Sequence, residues 1–123
     1  MKKAVLDTNF ILTCVKQKID FFDEIRFMGM EILIPEEVLE EIKRIMNRGK
    51  KLHFRENAKL TLKILETEKF KKIKLGTEDV DTGLANFATK NKDVTVATLD
   101  RELKKKIKKP KLVIRGKKKL EII

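Results

Sequence analysis

The chain has 123 residues with one cysteine, one histidine and neither tryptophan nor tyrosine, a length that suits one domain built around one core. The absence of serine excludes a Ser-His-Asp triad, and a lone Cys14 with a lone His53 excludes an intrachain disulfide and any zinc site built from Cys and His clusters. Charged residues make up 40%, and Lys plus Arg exceed Asp plus Glu by 30 to 19, so a net charge of +11 favours partners with negative charge, chiefly nucleic acid or an anionic membrane surface.

Ala4-Val5-Leu6 reads as a short buried strand. Asp7-Thr8-Asn9 is a cluster of helix-start residues ahead of Phe10-Ile11-Leu12. Phe21, Phe22, Ile25 and Met28 recur at helical spacing and Gly29 closes that helix, whose apolar face suits either the core or a dimer contact. A second strand, 31–34, stops at Pro35, which opens a helix over 36–48. A basic connection, 49–54, leads to a long helix over 55–69, then a short strand at 72–75 and a turn at Gly76-Thr77. A helix over 78–91, a strand over 94–98, a very basic helix over 101–108 and strands at 111–115 and 120–123 complete the chain. Alternating strands and helices predict an α/β fold with a mostly parallel sheet, and residues 1–123 read as a single domain. No run is apolar enough to span a bilayer and no signal peptide is present, so a cytoplasmic protein with no membrane partner is expected.

Four acidic residues stand where a purely structural sequence would prefer apolar or neutral ones. Asp7 and Asp100 each end a predicted strand, and open α/β sheets bind ligands outside those strand ends. Taken singly, each also suits a helix N-cap. On the helix after Pro35, the apolar direction is set by Val38, Leu39, Ile42, Ile45 and Met46. At about 100° per residue, Glu41 falls at the border of that stripe and Glu40 on the far side. Glu36, Glu37 and Glu40 read as solvated. On the helix 78–91, Asp81 precedes Leu84 by three positions and Ala88 by seven, so it lies on the apolar stripe while Asp79 points away. A carboxylate there is costly unless compensated, although first-turn placement helps through the helix dipole.

Gathered at one end of a sheet, Asp7, Glu41, Asp81 and Asp100 would repel one another unless a cation joined them. Mg²⁺ or Mn²⁺ prefers such oxygen ligands, lowers the pKa of water and stabilises charge growing on a phosphate. Thr8, Asn9, Thr82 and Thr98 are the neighbouring donors that could orient carboxylates or water. Basic residues concentrate at Arg44, Arg48, Lys50, Lys51 and Arg55, at Arg101 to Lys111 (Arg101, Lys104, Lys105, Lys106, Lys108 and Lys109 among them), and at Lys117 to Lys119. Aromatic stacking groups are few, so contact with the phosphate backbone is expected to outweigh base reading.

These residues carry a resemblance. The segments Val5-Leu6-Asp7-Thr8-Asn9-Phe10, Ile34-Pro35 with Val38-Leu39-Glu40-Glu41-Ile42, Val80-Asp81 with Leu84-Ala85-Asn86-Phe87-Ala88, and Val96-Ala97-Thr98-Leu99-Asp100-Arg101-Glu102-Leu103 resemble, in order, the motifs of PIN domains. The resemblance implies a three-layer α/β/α fold, a Mg²⁺- or Mn²⁺-dependent endoribonuclease acting on single-stranded RNA, and homodimerisation. It carries the family's catalytic and metal-ligating acids onto Asp7, Glu41, Asp81 and Asp100, with Asn9, Thr98 and Thr8 supporting them. Arg44, Arg48, Lys50, Lys51, Arg101, Lys104, Lys105 and Lys108 are then the expected RNA contacts. Many relatives have a further aspartate where this chain has Thr82, which leaves one or two metal ions open. The form is similar both to VapC-type toxins, which pair with a small antitoxin, and to PIN domains of ribosomal RNA processing complexes. The alternatives are a non-catalytic nucleic-acid-binding module with a vestigial or structural acidic site and, last, a phosphoryl-transfer receiver or phosphatase, which would need acids that this chain lacks beside Asp7.

Overall fold

Short apolar strands interleaved with amphipathic helices assemble one six-stranded sheet in the computed structural model, which describes residues 1–108, 110–116 and 118–123. The strands are β1 (Lys2–Leu6), β2 (Met30–Pro35), β3 (Lys71–Ile73), β4 (Val94–Ala97), β5 (Lys111–Arg115) and β6 (Lys119–Ile122). The helices are α1 (Thr8–Lys16), α2 (Phe21–Phe27), α3 (Glu36–Arg48), α4 (Leu52–Thr67), α5 (Val80–Lys90) and α6 (Arg101–Lys106). Strand order is β3-β2-β1-β4-β5-β6, parallel from β3 to β5, with β6 antiparallel to β5 at the edge.

The centre of the sheet is buried on both faces. Ala4 pairs with Ile32 and Thr95, and Val5 with Leu33 and Val96, and all six are buried. Strands apolar on both sides need helices on both sides, which is the three-layer arrangement expected of a parallel sheet. Helices α1, α3 and α4 pack together, while α5 packs on β4 and on α6. Phe21, Phe22 and Ile25 are buried, so the apolar face of α2 belongs to the core; Phe27, at 95% exposure, is what that helix leaves outside.

Connections leave β1 towards β2 in one direction and β4 towards β5 in the other. The carboxyl ends of β1 and β4 therefore flank the topological switch point, the crevice where open α/β sheets take ligands. Two close approaches fix the surrounding helices. A Cβ on Gly83 would stand 2.8 Å from Leu75 Cβ and 2.9 Å from Thr77 Cγ2, so glycine alone lets α5 sit against that loop. A Cβ on Gly49 would meet the Ile45 carbonyl at 2.6 Å, and Arg55 Nη1 donates to the Gly49 carbonyl at 2.6 Å.

Several boundaries differ from the sequence expectation. Helix α4 starts at Leu52 and not at 55, because the Lys51 carbonyl already accepts from the amides of Phe54 and Arg55. Helix α5 starts at Val80 because the Thr77 hydroxyl holds the Asp79 amide in a turn ahead of it. Glu37 is not a freely solvated side chain: its carboxylate accepts from the amides of Leu75 and Gly76, each at 3.1 Å, and so ties α3 to the turn before α5. Lys109 and Lys117 lie outside the described residues.

Candidate active site

Asp7 is the pivot of the site because its backbone belongs to the sheet and its side chain to the helix. Its amide donates to the Ala97 carbonyl at 2.9 Å, extending the β1–β4 pairing by one residue. Its Oδ1 then accepts from the Thr8 amide at 2.8 Å and caps α1. Its Oδ2 accepts from the Thr98 hydroxyl at 3.0 Å. Asp7 is 5% exposed, an unusual burial for a carboxylate.

The Thr98 oxygen has a second task. It accepts from the Asp100 amide at 3.1 Å, which turns the chain out of β4. Asp100 Oδ1 in turn accepts from the amides of Glu102 at 2.8 Å and Leu103 at 3.3 Å, capping α6. Asp7 and Asp100 are thus joined through one buried threonine, 91 residues along the chain from Asp7. The capping and site readings of these two residues are compatible: each acid uses one oxygen on its helix and keeps lone pairs for other partners.

Electrostatics link the remaining acids to Asp7 and Asp100. Burial pushes the Asp7 carboxyl above its ordinary range, hydrogen bonds from Thr98 and Thr8 pull it back, and the charges of Glu41 and Asp100 raise it again. Asp81, half-buried on α5, is pushed up to about 6, first by burial, then by a side-chain hydrogen bond with Asp100, then by the charges of Asp100, Asp7 and Asp79. Asp100 moves the other way: the Leu103 amide chiefly holds it low against its desolvation, helped by the Glu102 amide, Asp81 and the charge of Lys106. Of the two, Asp81 is the more readily protonated, because Asp100 has the backbone donors. Glu41 sits half-buried on α3, at the stripe border where helical geometry puts it.

The supporting residues divide. Thr98 is built into the site through its hydroxyl. Thr8 acts through its amide, and its own hydroxyl is buried beside Asp7 with no hydrogen-bond partner among the described residues, a group that ordered water would satisfy. Asn9 is exposed and its side chain makes no hydrogen bond to the four acids among the described residues; it lines an adjoining groove. Thr82 donates to Asp79 Oδ2 at 2.6 Å and serves the start of α5.

Of the basic residues, Arg44, Arg48, Lys50, Lys51, Arg101, Lys105 and Lys108 are exposed and Lys104 is half-buried. Lys105 pairs with Glu102 at 3.9 Å, and both side chains are 77% exposed, so the pair contributes little. Lys106 is the cation whose charge reaches both Asp100 and Asp79. Sequence reasoning placed it in a basic cluster without distinguishing it, because within a run of lysines only the fold decides which one turns toward the acids.

The chemistry of the donor set suits a hard divalent cation: carboxylate oxygens that feel one another's charge, a raised Asp81 and Asp7 that ionise more readily beside positive charge, and a buried hydroxyl without a protein partner among the described residues. Among the described residues, no group of three or more acidic, histidine or cysteine side chains stands close enough together to hold a metal ion.

Residues 4–117 match the family model described as a PIN-like domain. The chain is 34% identical over 128 residues to ribonuclease VapC4 of Methanocaldococcus jannaschii, an alignment covering 99% of this chain and 97% of that protein. Its fold is similar to the structure of the PIN domain endonuclease Utp24, with a TM-score of 0.75 at 23% identity over 98% of this chain and 90% of the other.

Proposed function

The chain belongs to the PIN-like domain family, and from that premise we propose that it is a divalent-metal-dependent endoribonuclease that hydrolyses phosphodiester bonds of single-stranded RNA. The observation that carries the reading is the linkage of Asp7, Thr98 and Asp100 across the switch point, with Asp81 and Glu41 felt electrostatically at the same place. In this reading Asp7, Glu41, Asp81 and Asp100 hold the cation. When bound, Mg²⁺ or Mn²⁺ supplies charge stabilisation for the phosphate and a lowered pKa for water.

The chain's own residues do the rest. Thr98 and the Thr8 amide fix both oxygens of Asp7, so the carboxylate does not have to be ordered when substrate arrives. Asp81 is the group able to exchange a proton near neutrality. Lys106, with Arg101, Lys104 and Lys108 on the same segment, provides positive charge beside the acids for the RNA backbone. Cleavage adds water to phosphorus and breaks the bond to one ester oxygen, which leaves with a proton.

The similarity to VapC4 supports RNA as substrate and an antitoxin-like protein as a partner, and the likeness to Utp24 extends to the fold. The test is to titrate Mg²⁺ or Mn²⁺ into the purified chain with an end-labelled single-stranded RNA. The expected result is internal cutting that EDTA stops and either metal restores. Retention of RNA without cutting at any metal concentration would instead identify a binding module.

Thr98→Val tests how the site is organised. It keeps shape and removes the one oxygen that joins Asp7 to Asp100. Cleavage is expected to fall about 10- to 100-fold, the usual cost of losing a group that orients a metal-binding carboxylate. The metal concentration for half-maximal rate should rise with it. Unchanged metal dependence would reject the role of the hydroxyl.

A further inference from the structure

A second feature lies on helices that carry two of the acids. A groove of about 420 Å³ runs between α1, α3 and the start of α4, lined by Asn9, Leu12 and Lys16 on one side and Ile45, Lys50 and Phe54 on the other. Its position follows from the sequence of the two helices. Asn9 stands two residues beyond Asp7, and Ile45 is four residues beyond Glu41, one helical turn along the same face. The groove therefore shares α1 and α3 with two of the acids, Asp7 at the cap of α1 and Glu41 on α3, although none of the four acids lines it.

Its lining is apolar and cationic, with no acidic side chain. Phe54 is 46% exposed although aromatic. Its ring lies 4.3 Å from that of His53, and Lys51 Nζ stands 6.0 Å from its centroid. Lys16 and Lys50 are exposed on the groove's rim.

The platform is held rigidly. Arg55 clamps the Gly49 carbonyl, Gly49 packs on Ile45 where no side chain fits, and Asn57 Nδ2 donates to the Leu12 carbonyl at 3.0 Å. A half-exposed aromatic ring on a fixed backbone, with cations near it and on helices shared with the acids, matches how single strands are gripped: bases stack on aromatic rings while Lys and Arg follow the backbone.

We propose that the Phe54 groove receives an unstacked base of single-stranded RNA next to the bond being cut, with Lys16, Lys50 and Lys51 taking the flanking phosphates. This rests on the ribonuclease reading and adds to it a requirement for an unpaired base on one side of the scissile phosphate.

Binding measured in EDTA separates the groove from the chemistry. The probe is a short single-stranded RNA carrying 2-aminopurine, whose fluorescence falls on stacking, compared with the same RNA carrying an abasic position. Phe54→Ala and Phe54→Leu are expected to weaken binding about tenfold and to abolish the quenching, whereas Phe54→Trp retains both. The abasic RNA should bind wild type and Phe54→Ala alike. Thermal melts of the variants should match wild type, since the ring is half exposed.

Equal RNA binding by wild type, Phe54→Ala and Phe54→Leu overturns the proposal; an apolar partner helix would then be the better occupant, and the leucine variant would still bind it. Phe54-dependent RNA binding by a chain that cuts nothing when metal is added would leave the platform standing and remove the nuclease reading.

Discussion

Asp7→Asn is expected to lower RNA cleavage by more than about 100-fold, beyond the loss that a mispositioned ligand causes, while RNA binding in EDTA stays nearly constant. Asparagine preserves the local geometry. Its amide oxygen can still accept from the Thr8 amide and cap α1, and its NH₂ can face the Thr98 oxygen. What disappears is a negative charge at the junction of β1, β4 and α1. That charge stands in a desolvated place beside Glu41 and Asp100, so its removal also relieves repulsion. The variant should melt no lower than wild type in EDTA and higher at neutral pH. A variant that loses activity because it unfolds would melt lower, and one that cuts RNA as wild type does would exclude Asp7 from the site. Comparing cleavage, binding and melting on one preparation separates the three outcomes.

With metal removed by EDTA, the protein should become less stable as pH rises from about 4 to about 6, and Mg²⁺ at neutral pH should reverse the loss. Asp81 supplies the sign. Its carboxyl is raised from 3.8 to about 6 on folding, so the folded chain binds a proton that the unfolded chain releases. Stability tied to that proton is complete below about 4 and is lost as pH rises through the folded value. Asp7, also raised, acts in the same direction. Asp100 and Glu37 are held low, so their contributions are present above the ordinary carboxylate range and fade only under stronger acid. The two groups of carboxylates thus govern separate pH windows. A divalent ion replaces the proton as the counter-charge. At 100 times its Kd it adds about 2.7 kcal/mol, on the order of 10 °C in melting temperature for a domain of this size. Asp81→Asn should flatten the slope between about pH 4 and 6 and shrink the response to Mg²⁺. An unchanged slope in that variant would place the titrating group elsewhere.

Helix faces and strand ends were readable from residue order alone. Glu41 at the border of α3, Asp81 on the buried stripe of α5, and Asp7 and Asp100 at the ends of β1 and β4 all occupy the positions that period and capping imply. Glu37 was misread as solvated because its partners, the amides of Leu75 and Gly76, lie 38 and 39 residues away and leave no periodic trace. Lys106 was hidden for a similar reason, since its neighbours in sequence are equally charged.

The alternation of elements, the carboxylates on inward helix stripes and at strand ends, the exclusion of a Ser-His-Asp triad and the overall positive charge could be read from the chain alone, because these depend on local period, composition and net charge. Packing was needed to show that one threonine hydroxyl links Asp7 to Asp100, that Asp81 is the more readily protonated of its pair, and that Phe54 stands half-exposed on α4 and not in the core. Those outcomes depend on burial and on the direction of single donors across the β1–β4 seam, quantities that arise only when segments distant in the chain are packed together.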